Sequence, residues 1–239
     1  MTEHHAIDLA SGSVRELNAA LHALRGKSIT ERLPTNETLW RVANPRGQHS
    51  VAVGVDAPIA IEVDGPVGYY CGGMNKQARI TVNGNAGVGL GENIMSGFIH
   101  VKGDASQSAG ATGCGGMIVI DGNASARCGI SMKGVDIVVK GSVGHMSAFM
   151  AQAGHLIVLG DAGEALGDSL YEARLFVRGT VASLGADCIE KEMRDEHRAL
   201  LAAKLAEAGL AGAVEVGEFR RYGSARTLYH FHVDNVSSY

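Results

Sequence analysis

Seven glycines, Gly65, Gly84, Gly103, Gly122, Gly141, Gly160 and Gly179, stand 19 residues apart without an insertion. The same side chains recur around each of them. Four residues earlier stand Ile61, Ile80, Ile99, Ile118, Ile137, Leu156 and Leu175, and two residues earlier comes Val, or Ile at 120. Two residues later comes Val or Ala, and seven later Gly, or Ala at 148 and 186. Alternating branched aliphatics read as a short strand with one buried face. The glycine, followed in most frames by Asn, Asp or Ser, reads as a turn. A strand every 19 residues leaves no room for a helix in each repeat. The economical fold is a parallel β-solenoid with one coil per repeat.

At ~3.3 Å per residue each coil has a perimeter of about 60 Å, and seven coils at ~4.8 Å spacing form a column about 34 Å long. Left-handed solenoids use six-residue units, which a strict 19 does not contain, and parallel crossovers are otherwise overwhelmingly right-handed. The expectation is therefore a right-handed parallel β-helix of about seven coils.

Composition agrees with such a column. Of the 239 residues 33 are Gly and only 4 are Pro, while 46% are hydrophobic and 5% aromatic. A linker or a collagen would need more Ser or Pro; here the core must be small and aliphatic. The net charge of −4 and the lack of a basic run argue against nucleic acid as a partner. The polar start has no signal-peptide core and no stretch is apolar enough to span a membrane, so no membrane partner is expected. Four cysteines fit a reduced, cytoplasmic chain better than a disulfide scaffold.

The ends of a solenoid must be covered. Residues 1–58 read as an N-terminal cap: a short helix over 13–25 with Leu17, Leu21 and Leu24 on one face, then an imperfect first coil within 39–55. The β-helix proper occupies 59–186. Residues 187–239 read as a helix over 187–208, with Asp187 as N-cap and Ile189, Met193, Leu200, Leu201 and Leu205 on one face, and an aromatic tail. Outward strand positions are polar in the early coils (Glu62, Asp64, Thr81, Asn83, His100, Lys102) and turn apolar toward the C-terminal end (Val119 and Asp121, Val138 and Lys140, Ile157 and Leu159, Phe176 and Arg178). The first expectation is that the C-terminal helix covers this later face; the alternative is another subunit. The aromatics outside the repeat core, Tyr69, Tyr70, Phe219, Tyr222, Tyr229, Phe231 and Tyr239, are candidate interface residues, since interfaces enrich Tyr and Phe.

No constellation reads as catalytic or metal-binding. Asp64 and Asp121 share a register but lie three coils apart, roughly 14 Å, too far for one carbohydrate-active site. Cys71 and Cys128 are separated in the same way, which excludes a disulfide or shared metal between them, and no C-x-x-C occurs. His155 shows no carboxylate in register, and His230 and His232 read as surface residues before metal ligands. The glycine-rich stretch 110–116 lacks the Lys-Ser/Thr ending of a phosphate loop. Met74, Met95, Met132, Met146 and Met150 read first as core filler and second as an adaptable interface.

The unit G-x-x-G-x-x-x-G at 65–72, 84–91 and 160–167 resembles the GXGXG-repeat β-helix family, known from the end of the glutamate synthase large subunit and from a subunit of formylmethanofuran dehydrogenases. Ser106, Ser125 and Ala182 replace its middle glycine in other frames. The flanks RELNAALH (15–22), NPRGQH (44–49), GYYCGGMN (68–75), GADCIEKE (185–192), RYGSAR (221–226) and VDNVSSY (233–239) are similar to the stand-alone form, the second subunit of N-methylglutamate synthases (methylamine–glutamate N-methyltransferases). The resemblance runs from about Leu9 to Tyr239. It implies a scaffold in a complex whose other subunits, glutaminase-like and glutamate-synthase-like, carry the catalytic residues, the FMN and an iron–sulfur cluster. The chain opens Met1-Thr2, without the N-terminal Cys nucleophile of a glutaminase, and has no FMN-binding barrel, so no catalytic residue carries over. The alternatives are a β-helix subunit of glutamate synthase or of a formyl-transfer complex, and an autonomous carbohydrate-active enzyme.

Overall fold

The computed structural model describes residues 4–25 and 39–226. One sheet of eleven strands runs the length of the molecule: β1 (His4–Asp8), β2 (Leu39–Ala43), β3 (Ala60–Asp64), β4 (Arg79–Val82), β5 (Phe98–Val101), β6 (Met117–Ile120), β7 (Lys133–Val139), β8 (Ala153–Val158), β9 (Arg174–Val177), β10 (Cys188–Lys191) and β11 (Arg220–Ser224). From β3 to β9 every strand pairs in parallel with the next. Ile61 stands beside Ile80, Ile80 beside Ile99, and so on to Leu156 beside Leu175. A second ladder of single bridges joins Val67, Ala86, Ala105, Ala124, Val143, Ala162 and Val181. Each repeat is thus one coil of a parallel β-solenoid, and its branched aliphatics form one core that reaches from Leu9 to Tyr222.

The repeat-marking glycines have a more specific cause than a turn. In five coils the side-chain oxygen of the residue after the previous glycine accepts a hydrogen bond from the backbone N–H one coil on: Asn85 from Asp104, Asp104 from Asn123, Asn123 from Ser142, Ser142 from Asp161, and Asp161 from Thr180. A Cβ added to Gly103, Gly122, Gly141, Gly160 or Gly179 would collide with that same oxygen. The glycine is required because a polar ladder fills the volume of its side chain.

The far corner uses a second device. Tyr70, Gly72 and Met74 all have positive φ, and the pattern recurs as Ser108, Gly110 and Thr112 and as Met146, Ala148 and Met150. The backbone N–H groups of Tyr70 and Met74 donate to Val88 and Glu92 of the next coil, whereas that of Gly72 donates to Val51 of the preceding one. Every second residue is left-handed, yet the backbone stays hydrogen-bonded on both sides. At Gly72, Gly91 and Gly110 a Cβ would also press on a core isoleucine. The period shortens by one residue in the last coil, where Leu166 bridges Leu184. Gly185 donates to Leu166 there and takes the corner position assigned from spacing to Ala186.

The N-terminal cap follows its sequence signals. Helix α1 (Val14–His22) starts at a capping box, in which Ser13 accepts from the Glu16 N–H and Glu16 accepts from the Ser13 N–H. It seats Leu17 and Leu21 in the core. Strand β2 forms the first coil, with Trp40 beside Ile61, a spacing two residues longer than the period.

The C-terminal end differs from expectation. Residues 188–191 are strand β10, and helix α2 (Asp195–Glu207) begins after Arg194 rather than at Asp187. Asp187 has a positive φ and binds Arg226 at 2.6 Å. Ile189 is exposed on the strand, while Leu201 and Leu205 are buried. The chain then returns through a 3-10 turn (Val216–Glu218) to β11, which inserts antiparallel between β9 and β10. Helical periodicity alone cannot anticipate this, because β10 is a strand only when β11 pairs with it.

Candidate functional site

The outer face of the sheet divides along the column. From β6 onward Met117, Val119, Val138, Ile157 and Phe176 form a second core under Leu201 and Leu205 of α2 and under Phe219. The C-terminal helix therefore covers the apolar face. A bolt fixes it there: Asp136 accepts hydrogen bonds from His155 Nδ1 at 2.6 Å and from Lys204 Nζ at 2.8 Å. Burial alone would raise the Asp136 carboxyl, but these two partners outweigh it and hold the group below the ordinary carboxylate range. The hydrogen bond to Asp136 lifts Lys204 in turn. His155 thus has a carboxylate in register, contrary to expectation. Asp136 stands beside it in β7, at a strand position one step outside the pairs compared in the sequence.

The uncovered face carries a chain of charges. Asp121 meets His100 Nε2 at 2.8 Å, Lys140 Nζ at 2.6 Å and Lys102 Nζ at 3.8 Å. Against the burial that would raise it, Lys140 and His100 hold this carboxyl low. Arg41 pairs with Glu62, Asn83 donates to Asp64, and Arg79 lies 4.1 Å above the Phe98 ring. Asp121 and Glu62 thus meet cations of neighbouring coils, while Asp64 and Arg79 take neutral partners. Among the described residues no three His, Cys, Asp or Glu side chains come together as a metal-holding group.

The left-handed corner is different in kind. Tyr69 and Tyr70 are 48% and 46% exposed, and Met74, Met95, Met150 and Tyr171 are comparably open. The reading of the corner methionines as core filler holds for Met132, which is buried, and fails for Met74, Met95 and Met150. Met74 and Met150 have positive φ in the left-handed corner, and both side chains are exposed. Tyr69 is braced: its ring stacks on His49 at 4.4 Å and its N–H donates to His49 Nδ1. Beside Tyr70 lies a groove of about 220 Å³ lined by Ser50, Val53, Tyr70, Met74, Glu92 and Asn93. A Cβ on Gly89 would fall 2.6 Å from the Tyr70 ring and 3.0 Å from Glu92 Oε2, so the ring and the carboxylate converge over that glycine.

The other aromatic candidates separate into two groups. Phe219 is 4% exposed in the outer core and Tyr222 is 2% exposed in the inner one, so the chain itself consumes both. Tyr229, Phe231, Tyr239, His230 and His232 lie outside the described residues. Cys71, Cys128 and Cys188 are buried thiols that burial pushes up to about 12, whereas Cys114 is exposed. No described helix is long and apolar enough to cross a membrane.

No protein-family model matches the chain. Protein GlxC of Rhizobium meliloti (strain 1021) is 64% identical over 233 residues, covering 98% of this chain and 99% of that protein. At that identity and coverage the chain belongs to the GlxC family.

Proposed function

We propose that this chain is the non-catalytic β-helix subunit of a glutamate-synthase-like N-methylglutamate synthase, in which methylamine and glutamate give N-methylglutamate and ammonia. In this reading a glutaminase-like subunit and an FMN-binding, glutamate-synthase-like subunit dock on the solenoid. The flavin and an iron–sulfur cluster belong to those partners. The observation that carries the reading is the division of the surface: the half-buried charged groups of the sheet face are paired with one another, and the left-handed corner leaves tyrosines and methionines open. Paired charges suit a rigid support, and half-exposed Tyr and Met suit a contact surface. The GXGXG pattern and the flanking motifs supply the choice of complex.

The test is affinity purification of the tagged full-length chain from its native cell. The expected product is a complex with two larger chains and a flavin absorbance, turning over methylamine with glutamate. A monodisperse lone chain would sink the reading. Turnover of 2-oxoglutarate with glutamine, or of a formyl-pterin, would move the scaffold to a glutamate synthase or a formyl-transfer complex. Binding of oligosaccharide by the isolated chain would instead support an autonomous enzyme.

A further inference from the structure

We infer that the groove beside Tyr70 receives the side chain of a basic residue, Lys or Arg, presented by a partner subunit. This inference rests on the scaffold reading and gives it a contact point.

The half-buried carboxylates of the described residues are held by partners, Asp168 by the Ser169 hydroxyl and the Ala186 N–H, with Glu92 as the exception. Asp56 is held by Gln77, Arg25 and Lys76, Asp121 by His100 and Lys140, and Asp136 by His155 and Lys204. Glu92 is also half-buried, yet among the described residues its carboxylate has no hydrogen-bond or ion-pair partner. It stands in a concave site whose other walls are the Tyr70 ring, Met74 and Val53. Covering that site with an apolar or acidic group would strand a carboxylate away from water, which is unfavourable. An aliphatic stem ending in a cation satisfies every wall at once. Its methylenes lie along Val53 and Met74, and its head meets Glu92 and the π-face of Tyr70. The backbone keeps the site open, because Gly89 has no side chain where ring and carboxylate converge. Tyr70 and Met74, half-exposed at the mouth of the groove, and Tyr69 next to Tyr70 in the chain supply apolar surface that excludes water from a central charged contact. A groove with a rim of this kind takes a side chain that arrives on a protein surface.

The experiment uses the purified complex and the full-length chain. Glu92→Gln should weaken subunit binding about tenfold and Glu92→Arg should abolish it, with the thermal midpoint of the isolated chain unchanged in both. Glu164→Gln, at an exposed carboxylate of a later coil, should bind as the wild type does. In parallel, n-butylammonium and butylguanidinium should shift the amide resonances of Tyr70, Met74 and Gly89 in the isolated chain, and butyramide should not. A complex that assembles with Glu92→Arg at wild-type affinity overturns the groove assignment and leaves the scaffold reading intact. Equal shifts with butyramide, or none with either cation, also overturn it. If the wild-type chain has no partner at all, the scaffold reading fails and the partner-borne side chain fails with it.

Discussion

The early and late coils share an interior and differ in what lies over it. Ile80 and Ile137 occupy the same core register, and so do Val82 and Val139. Outside, Thr81 and Asn83 face solvent in β4 and just beyond it, whereas Val138 and Ile157 in β7 and β8 lie under α2. The inner registers fix the coil; the outer registers fix what may rest on it. A solenoid can therefore keep one period and still be two molecules, half self-covered and half open.

The sharpest way to break the contrast is at the covered end. Ending the chain after Gly217 removes β11, Phe219 and Tyr222, leaves β9 and β10 without the strand that pairs with both, and uncovers both cores. The expected result is loss of cooperative thermal unfolding by circular dichroism, with aggregation. Such a truncation cannot serve as a clean test of assembly; ending after Arg226 keeps the whole described fold.

Phe176→Ala, within the same cover, should cost about 3–5 kcal/mol in chemical denaturation. Tyr70→Ala on the open corner should stay within about ±0.5 kcal/mol. Equal effects at the two positions would erase the distinction between covered end and open corner.

Gly122→Ala places a Cβ on the Asp104 side-chain oxygen and 2.9 Å from the Gly103 carbonyl, and should cost about 1–3 kcal/mol. Gly217→Ala, with nothing within 4 Å of its added Cβ, should be close to neutral. The smallest effect concerns the bolt under α2. The carboxyl of Asp136 is lowered in the folded chain, so its contribution is present above the unfolded value near pH ~4 and is lost as pH falls through the folded one. Unfolding midpoints at about pH 3 and pH 6 should therefore differ less in Asp136→Asn than in the wild type.

The column itself was legible because its cause is periodic. One residue type at one spacing in seven frames leaves few alternatives, and the inner ladders follow it. What escaped depends on contacts between coils that differ from frame to frame. The Asn and Asp residues after the repeat glycines looked like turn formers, and their ladder emerges only when coils are stacked. Asp136 and His155 do lie one period apart, and a comparison of every outward column would have paired them. Tyr70 and Met74 gave no sign of left-handed backbone, because that conformation is imposed by hydrogen bonds to the next coil. Cys188 to Lys191 read as helical because a strand made by a distant partner has no local signature. Of the candidate surface, the exposed tyrosines were readable as aromatics outside the core, but a Glu92 without a partner among the described residues was not. Its isolation is a property of its neighbours.

The antiparallel return of β11 sets a schedule for biosynthesis. While residues 178 to 224 are still being added, β9 has been made but the strand that pairs with its outer edge has not. At about 5–20 residues per second that interval lasts roughly 2–9 s. Throughout it the nascent solenoid ends in a naked, aliphatic, parallel-ready edge, the template on which a second nascent copy would stack. Once β11 pairs with β9 that edge is occupied, and the sheet ends at β10 instead. Crowded polysomes translating this message should be more prone to co-aggregation than the finished protein is.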